Sequence, residues 1–379
     1  MPITLSEEWF HARWSQAKDR AGKRFTEQLD VPLPLARYFS AATQAESFFQ
    51  EFSQMAASLD KRRRQRPSGT PPVGSEDGLN RLNTLVPSII TALQNIAALQ
   101  RTSPASLPIT PGSALVSEAG KAVNTPLSAA YKSVETASAE NRTAAEAWVD
   151  WLSGTRSHVA QVEDLLTSNA AAAANNPCIL MLGAAGTGKT HLLCEMTKEQ
   201  IARGAPALLF LAQAFQSPFD DVLARLSSSV GWTESPETFF ATLDGIARQR
   251  NTRCLISIDA LHEGHRDSWT KAIPQLIDLS RRYVGLAIVI SCRSPFEKIL
   301  VPDPAALGLI AVQHFGFPPE VQSDAVEKYF KAYSIPLPEV PLLEEEFANP
   351  LFLKLFCEAI EKVTMSISLL KVSTLSRHS

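Results

Sequence analysis

A chain of 379 residues, 45% hydrophobic and 20% charged, has an ordinary soluble composition and enough length for two or three domains with a buried core. A net charge of −3 leaves no global positive field to hold nucleic acid or an anionic membrane. Cys178, Cys194, Cys254, Cys292 and Cys357 stand apart with no C-x-x-C among them, so they read as buried free thiols of a reducing cytosol. No apolar stretch approaches a membrane span and no signal-peptide core opens the chain, which together predict a cytoplasmic protein.

The first 150 residues read as helix interrupted by linkers. Trp9, Phe10, Trp14 and Ala17 recur at helical spacing over 7–24, and Val31-Pro32-Leu33-Pro34 breaks the pattern. A second amphipathic stretch carries Tyr38, Phe39, Ala42, Phe48, Phe49, Phe52 and Met55. It ends in Lys61-Arg62-Arg63-Arg64-Gln65-Arg66 beside a Pro/Gly/Ser segment over 67–78. Such a run can touch nucleic acid, but a solvated helix C-terminus, where cations oppose the macrodipole, is the better account. Further helices are expected over 79–99 and 117–151, with a flexible segment at 103–113. No catalytic spacing occurs in this third, so it reads as a helical bundle or hairpin arm. The alanine run 170–174, closed by Asn175-Asn176-Pro177, reads as a helix leading into the next strand.

The chemistry begins at Gly183-Ala184-Ala185-Gly186-Thr187-Gly188-Lys189-Thr190, between the apolar run 178–182 and a helical pattern from His191 onward. Strand, glycine loop and helix in this order are a P-loop, or Walker A motif. Its glycines let backbone N–H groups face a phosphate, and the helix N-terminus adds partial positive charge. Lys189 can bridge β- and γ-phosphates, and the Thr190 hydroxyl can ligate Mg²⁺. Strands are then expected at 206–211, 254–259, 286–290 and 309–312, separated by helices over 190–203, 219–230, 236–250 and 269–283. Buried strands alternating with helices predict a doubly wound parallel sheet with ligands at the strand carboxyl ends.

Asp259 ends an apolar strand, as a Walker B carboxylate must to reach the Mg²⁺ shell. Glu263, four residues on, is the candidate to deprotonate the attacking water. Arg293 ends the next strand and is placed to sense a γ-phosphate. His262 and His265 lack the spacing of a zinc helix. Beyond the core, a helix over 318–334, an extended linker over 336–341 and Pro350 at a helix start precede a Ser-rich tail, 365–379, expected to fray.

Taken in chain order, the P-loop, Ile258-Asp259-Ala260-Leu261-His262-Glu263-Gly264, Val289-Ile290-Ser291-Cys292-Arg293, His314-Phe315-Gly316-Phe317 and Asn349-Pro350-Leu351-Phe352-Leu353 resemble a STAND NTPase. Within that class the sequence is similar to the bacterial antiviral STAND (Avs) proteins, relatives of NACHT domains, over about residues 160 to 362. Arg24-Phe25-Thr26-Glu27-Gln28-Leu29-Asp30 resembles the segment that precedes the core there. His262 departs from the group's usual Asn or Asp.

The resemblance implies an ASCE/STAND-type P-loop NTPase: an α/β fold with an N-terminal helical region at 1–158, the core at 159–316 and a short C-terminal helical segment at 317–379. It implies ATP and Mg²⁺ as cofactors, held by Gly183, Ala184, Ala185, Gly186, Thr187, Gly188, Lys189, Thr190 and His191, with Pro350 on the adenine. Thr190 and Asp259 would serve the metal, and Lys189, Asp259, Glu263 and Arg293 catalysis. It further implies a slow ATPase switch in anti-phage signalling, which self-associates or depends on a partner supplying effector and sensor. The alternatives are an AAA+-like mechanochemical ATPase and a nucleotide-binding scaffold that does not hydrolyse.

Overall fold

The computed structural model describes residues 5–102, 104–218, 221–337 and 345–375, with side chains described as far as Val363. Helix α1 (Glu7–Ala21) opens where the Ser6 hydroxyl accepts from the Trp9 N–H, with Glu7 and Glu8 in the first turn to complement the helix dipole. Two 3-10 turns, Gly22–Arg24 and Glu27–Leu29, and the short helix α2 (Ala36–Ala42) follow. Contacts divide the chain into two compact units, Met1–Phe39 with Asn176–Ser379, and Ser40–Asn175. The expected boundaries at 158 and 316 therefore differ from the division by contact. One reason is that Phe10, Phe25, Leu29 and Val31 are buried within the first unit. The other is that helix α6, introduced next, carries its buried stripe of Val159, Val162, Leu165 and Leu166 past residue 158.

The unit Ser40–Asn175 contains α3 (Glu46–Arg64), α4 (Glu76–Ala98), α5 (Ile109–Thr136), α6 (Ala139–Thr167) and α7 (Asn169–Asn175). Each of α3 to α6 packs on its successor and α6 returns to α3, closing a four-helix bundle. Helix α5 begins at Ile109, inside the segment expected to be flexible. Pro111 falls in its first turn, where the missing N–H has no intrahelical acceptor in any case. The stretch Glu76–Arg101 has a mean hydropathy of 1.3 over its most apolar window and is long enough to cross a membrane, which corrects the expectation that no segment approaches that length. Its apolar stripe, Leu79, Leu82, Ile89, Leu93 and Ile96 among others, is buried in the bundle. The basic run is neutralised locally: Arg62 pairs with Asp150, Arg63 and Arg64 with Asp60, and Arg66 lies over the rings of Trp148 and Trp151.

In the other unit, five parallel strands form one sheet in the order β2-β3-β4-β1-β5: β1 (Cys178–Gly183), β2 (Ala207–Leu211), β3 (Cys254–Asp259), β4 (Leu286–Arg293) and β5 (Ile310–Gln313). All residues of β1, β2 and β3 are buried, as their continuous apolar sequences require. Helices α8 (Lys189–Ala202), α9 (Val222–Ser229), α10 (Pro236–Gln249), α11 (Arg266–Arg282), α12 (Glu297–Leu300) and α13 (Pro304–Leu307) connect them. The five cysteines are free and buried, and burial pushes the Cys194 thiol up to about 12.

After β5, α14 (Pro319–Ala332) and α15 (Pro350–Leu375) pack with the segment 27–31 around Leu29, Val31, Phe317, Tyr329, Phe330, Phe347 and Leu353. The tail expected to fray is helical to Leu375, and 376–379 lie outside the described residues. Phe219 and Asp220, and the linker beyond 337 as far as 344, also lie outside them.

Gly78, on α4, faces Pro126 of α5. A Cβ there would lie 2.5 Å from Pro126 Cδ and 2.8 Å from the Ala122 carbonyl oxygen. Alanine gains about 1 kcal/mol of helix propensity, while overpacking against a rigid ring and a backbone carbonyl costs about 1–3 kcal/mol. The clash wins: Gly78→Ala lowers the denaturant midpoint of the bundle's unfolding, and a midpoint equal to or above wild type would show that α4 and α5 yield without cost.

Candidate functional site

Loop 183–190 leaves the carboxyl end of β1 between β4 and β5. Gly186 (φ 82°) and Gly188 (φ 96°) occupy the left-handed region that favours glycine. Space demands glycine as well. A Cβ on Gly186 would meet Asn349 Oδ1 at 3.0 Å and Leu351 Cβ at 3.1 Å, and one on Gly188 would meet Pro350 Cγ at 3.4 Å. The start of α15 is thus seated directly on the loop, with the Leu351 N–H donating to the Gly186 carbonyl at 3.2 Å. On the other side α8 begins at Lys189, and the first N–H groups of a helix have no intrahelical acceptors.

Lys189 is buried, and its Nζ donates to the carbonyls of Gly183 (2.8 Å) and Ala184 (2.7 Å). Burial holds its pKa below the usual lysine value, against the pull of Asp259. Asp259, 1% exposed, accepts from Thr190 Oγ1 at 2.7 Å and from Ser291 Oγ at 2.6 Å. Ser291 in turn accepts from the Ala260 N–H at 2.8 Å. The carboxylate is therefore gripped at both oxygens, one of them by the loop's own hydroxyl.

Glu263 lies in the 3-10 turn Leu261–Glu263 after β3, and its carboxylate meets Arg24 Nη1 at 3.1 Å. Arg24 also donates to Gln213 Oε1 at 3.2 Å. Strand register places Arg293 opposite Gly183, and its guanidinium stands 3.9 Å from Glu263. His262 stacks on Phe296, and its Nδ1 accepts from the Arg293 N–H at 3.4 Å. Burial, then the Arg293 charge, lowers its pKa.

The segment 22–33 is strapped across the cleft by charges. Glu27 bridges Lys18 and Lys198, and Lys354 holds the Lys23 carbonyl and the Thr26 hydroxyl. Phe25 packs on the His191 ring, 4.9 Å between centroids. The enclosed cleft measures about 290 Å³. Residues 185–191, Asp259, Glu263 and Arg293 line it, and so do Leu29, Val31, Leu33, Phe317 and Tyr329, which belong to or pack against one hydrophobic cluster. Pro350 and Leu351 line it too, Pro350 against Gly188, whereas Gly183 and Ala184 contribute their carbonyls to Lys189. The expected site residues thus converge at one place. Arg24, Ser291, His314 and Asn349 join them without having been singled out as site residues. All four stand in the motifs that carry the resemblance, but no local spacing gives them a role, because strand register and helix docking bring them in.

The residues fit a nucleoside triphosphate with magnesium. A glycine-rich loop lies beside a helix N-terminus, a hydroxyl and a carboxylate suited to a hard cation touch each other, and the buried Nε2 of His314, a residue that lines the cleft, has no partner among the described residues. Loop, sheet order and strand-end acid together define a P-loop NTPase fold.

No protein-family model matches the chain, and no curated protein matches it in sequence. Among solved structures, the crystal structure of Cdc6p from Pyrobaculum aerophilum is similar over 46% of this chain and 46% of that chain, at 18% identity and a TM-score of 0.28. The structure of Drosophila ORC bound to AT-rich DNA and Cdc6 is similar over 43% of this chain and 59% of that chain, at 12% identity and a TM-score of 0.26. The chain thus covers about half the length of these neighbours.

His314 is 1% exposed, and burial with the charges of Lys189 and His191 pushes its pKa from 6.5 down to about 4. Between these values the unfolded chain binds a proton that the folded chain refuses, so this residue costs stability as pH falls through 6.5 and adds no further loss below about 4. His314→Gln removes that contribution. Melting temperatures of the two proteins, measured without nucleotide, are expected to differ by a constant above pH 7 and to shift in favour of the variant toward pH 4. A constant difference throughout would show that the ring is accessible to protons.

Proposed function

We propose that the chain is an ATP-binding STAND-type NTPase, a nucleotide-dependent switch of bacterial anti-phage defence that hydrolyses ATP slowly. The observation that carries the nucleotide step is the 2.7 Å contact between Thr190 Oγ1 and Asp259 Oδ2 at the mouth of loop 183–190. It joins the loop's hydroxyl to the strand-end carboxylate, the pair needed beside a phosphate-bound Mg²⁺. Magnesium bound there supplies neutralisation of phosphate charge. The loop N–H groups and the α8 N-terminus hold the phosphates, and Lys189 exchanges its carbonyl partners for phosphate oxygens. Arg293, at the rim, is the γ-phosphate sensor, and Pro350 with the cleft's apolar residues flanks the base.

Glu263 takes the proton of the attacking water. A carboxylate held by a guanidinium at 3.1 Å must give up that partner to reach a water, which supports slow turnover. The signalling reading is supported by the chain order of the five motifs. The Leu351–Gly186 hydrogen bond supports it too, since it makes the phosphate loop and α15 share one backbone contact. Self-association, or a partner supplying effector and sensor, completes the cycle in this reading.

Lys189→Ala weakens Mg-ATP binding by at least about tenfold, roughly 1.4 kcal/mol, in calorimetry. Unchanged affinity would remove the loop from the site. In single-turnover assays Glu263→Gln keeps ATP affinity and slows hydrolysis by roughly 10² or more. Arg24→Ala changes the hydrolysis rate in the wild-type background and not in the Glu263→Gln background, as a residue acting through Glu263 must. Equal effects in both backgrounds would sever that link.

A further inference from the structure

His314 lies just beyond β5, and its place is set by the backbone on both sides. Its N–H donates to the Leu182 carbonyl at 2.7 Å, continuing the β1–β5 ladder. Its own carbonyl fills the space a Cβ on Gly183 would need. Two residues on, the chain turns through Gly316 at φ 102°, where a Cβ would collide with the Ala348 carbonyl. That turn aims the Gly316 N–H at His314 Nδ1, 3.2 Å away.

An imidazole nitrogen that accepts from an amide carries a lone pair, so in the neutral ring the proton must sit on Nε2. The tautomer is therefore assigned by the backbone. Nε2 is buried, has no partner among the described residues, and stands 3.6 Å from the position of a Cβ on Gly188. A buried donor without an acceptor is costly, and the cost is removed by a ligand that brings one. His314 also lines the cleft that the glycine loop lines.

We propose that His314 is a phosphate-binding residue of this site, donating a neutral Nε2–H hydrogen bond to a non-bridging oxygen of the nucleotide phosphates along loop 183–190. The inference rests on the nucleotide-binding reading and adds a donor that the loop motif does not contain. A phosphate oxygen is favoured over a base nitrogen because the donor stands against the glycine loop itself, 3.6 Å from the Cβ position of Gly188. The role is that of a donor of fixed direction with no charge of its own, so it complements Lys189 without repelling it.

The test uses the full chain and two side chains of similar length. Gln places an amide N–H near the position of Nε2, and Met fills the space without a donor. Calorimetry with Mg-ATP, Mg-ADP and adenosine is expected to give wild-type affinities for His314→Gln. For His314→Met it is expected to give a loss of about tenfold or more for both nucleotides and none for adenosine, the scale of one hydrogen bond to a charged acceptor. Histidine-selective ¹⁵N NMR of the wild type reads the same claim without a mutation: an Nε2-protonated ring, whose Nε2 proton moves downfield on adding Mg-ADP. Equal binding of Mg-ADP by wild type and His314→Met, a matching loss for adenosine, or an Nδ1-protonated ring would overturn the proposal while leaving the P-loop reading intact. Failure of the wild type to bind Mg-ATP or Mg-ADP would remove both. Should His314→Met not fold, the Gln variant and the NMR titration decide.

Discussion

The constraint on which the candidate site depends is the lack of a Cβ at two positions of a single turn of backbone. Gly186 and Gly188 hold left-handed conformations and simultaneously receive Asn349, Pro350 and Leu351. A Cβ at either glycine is strained by conformation, and one at Gly186 is crowded by contact as well, two penalties of order 1–3 kcal/mol that add at one place. The direction of the first α8 N–H groups, the seating of α15 and the closure of the cleft all follow from that turn. A loop built this way is also a contact surface for the start of α15.

Charge is arranged around the turn so that nothing ionised is buried alone. Lys189 would be expensive in this setting, yet two carbonyls accept from it at 2.7–2.8 Å, and hydrogen bonds to a charged donor contribute about 1.5–3 kcal/mol each. Asp259 is satisfied by two hydroxyls rather than by a cation. The arrangement leaves its charge available to a metal, where a direct lysine pair would have neutralised it. Glu263 is treated oppositely: half-buried at the rim, it is held by Arg24 with Arg293 close behind. Two carboxylates four residues apart thus receive hydroxyl partners in one case and guanidinium partners in the other.

The segment 22–33 deserves its place in the site for electrostatic and apolar reasons together. Glu27, Lys198, Lys354 and Thr26 tie it to α8 and α15, and Leu29 and Val31 enter the core shared with Phe317, Tyr329 and Leu353. Exposed ion pairs of this kind contribute only a few tenths to about 1 kcal/mol each, so the buried apolar residues supply most of the holding. That ranking explains why a stretch nearly 160 residues upstream in the chain belongs to the same unit as the loop.

Local chemistry made much of this legible without coordinates. Short apolar runs rich in β-branched and large aliphatic residues, set between helical patterns, fit strands buried on both faces, and β3 occupies the predicted residues 254–259. Glycines at fixed offsets before Lys-Thr can only be useful as a backbone cradle, and an acid ending the strand at 259 faces it. The helical nature of the first third followed from its periodicity, although α5 starts inside a stretch whose prolines suggested a linker. What the chain could not reveal by itself is every relation between distant residues. Strand order sets Arg293 opposite Gly183, a turn at Gly316 selects the tautomer of His314, and Arg24 reaches Glu263 across 239 positions. Periodicity and spacing report on neighbours in sequence. Register, docking and the burial of a single imidazole nitrogen are decided only when the sheet has formed and the helices have closed over it, because each depends on which surfaces remain to be covered once the local structure is in place.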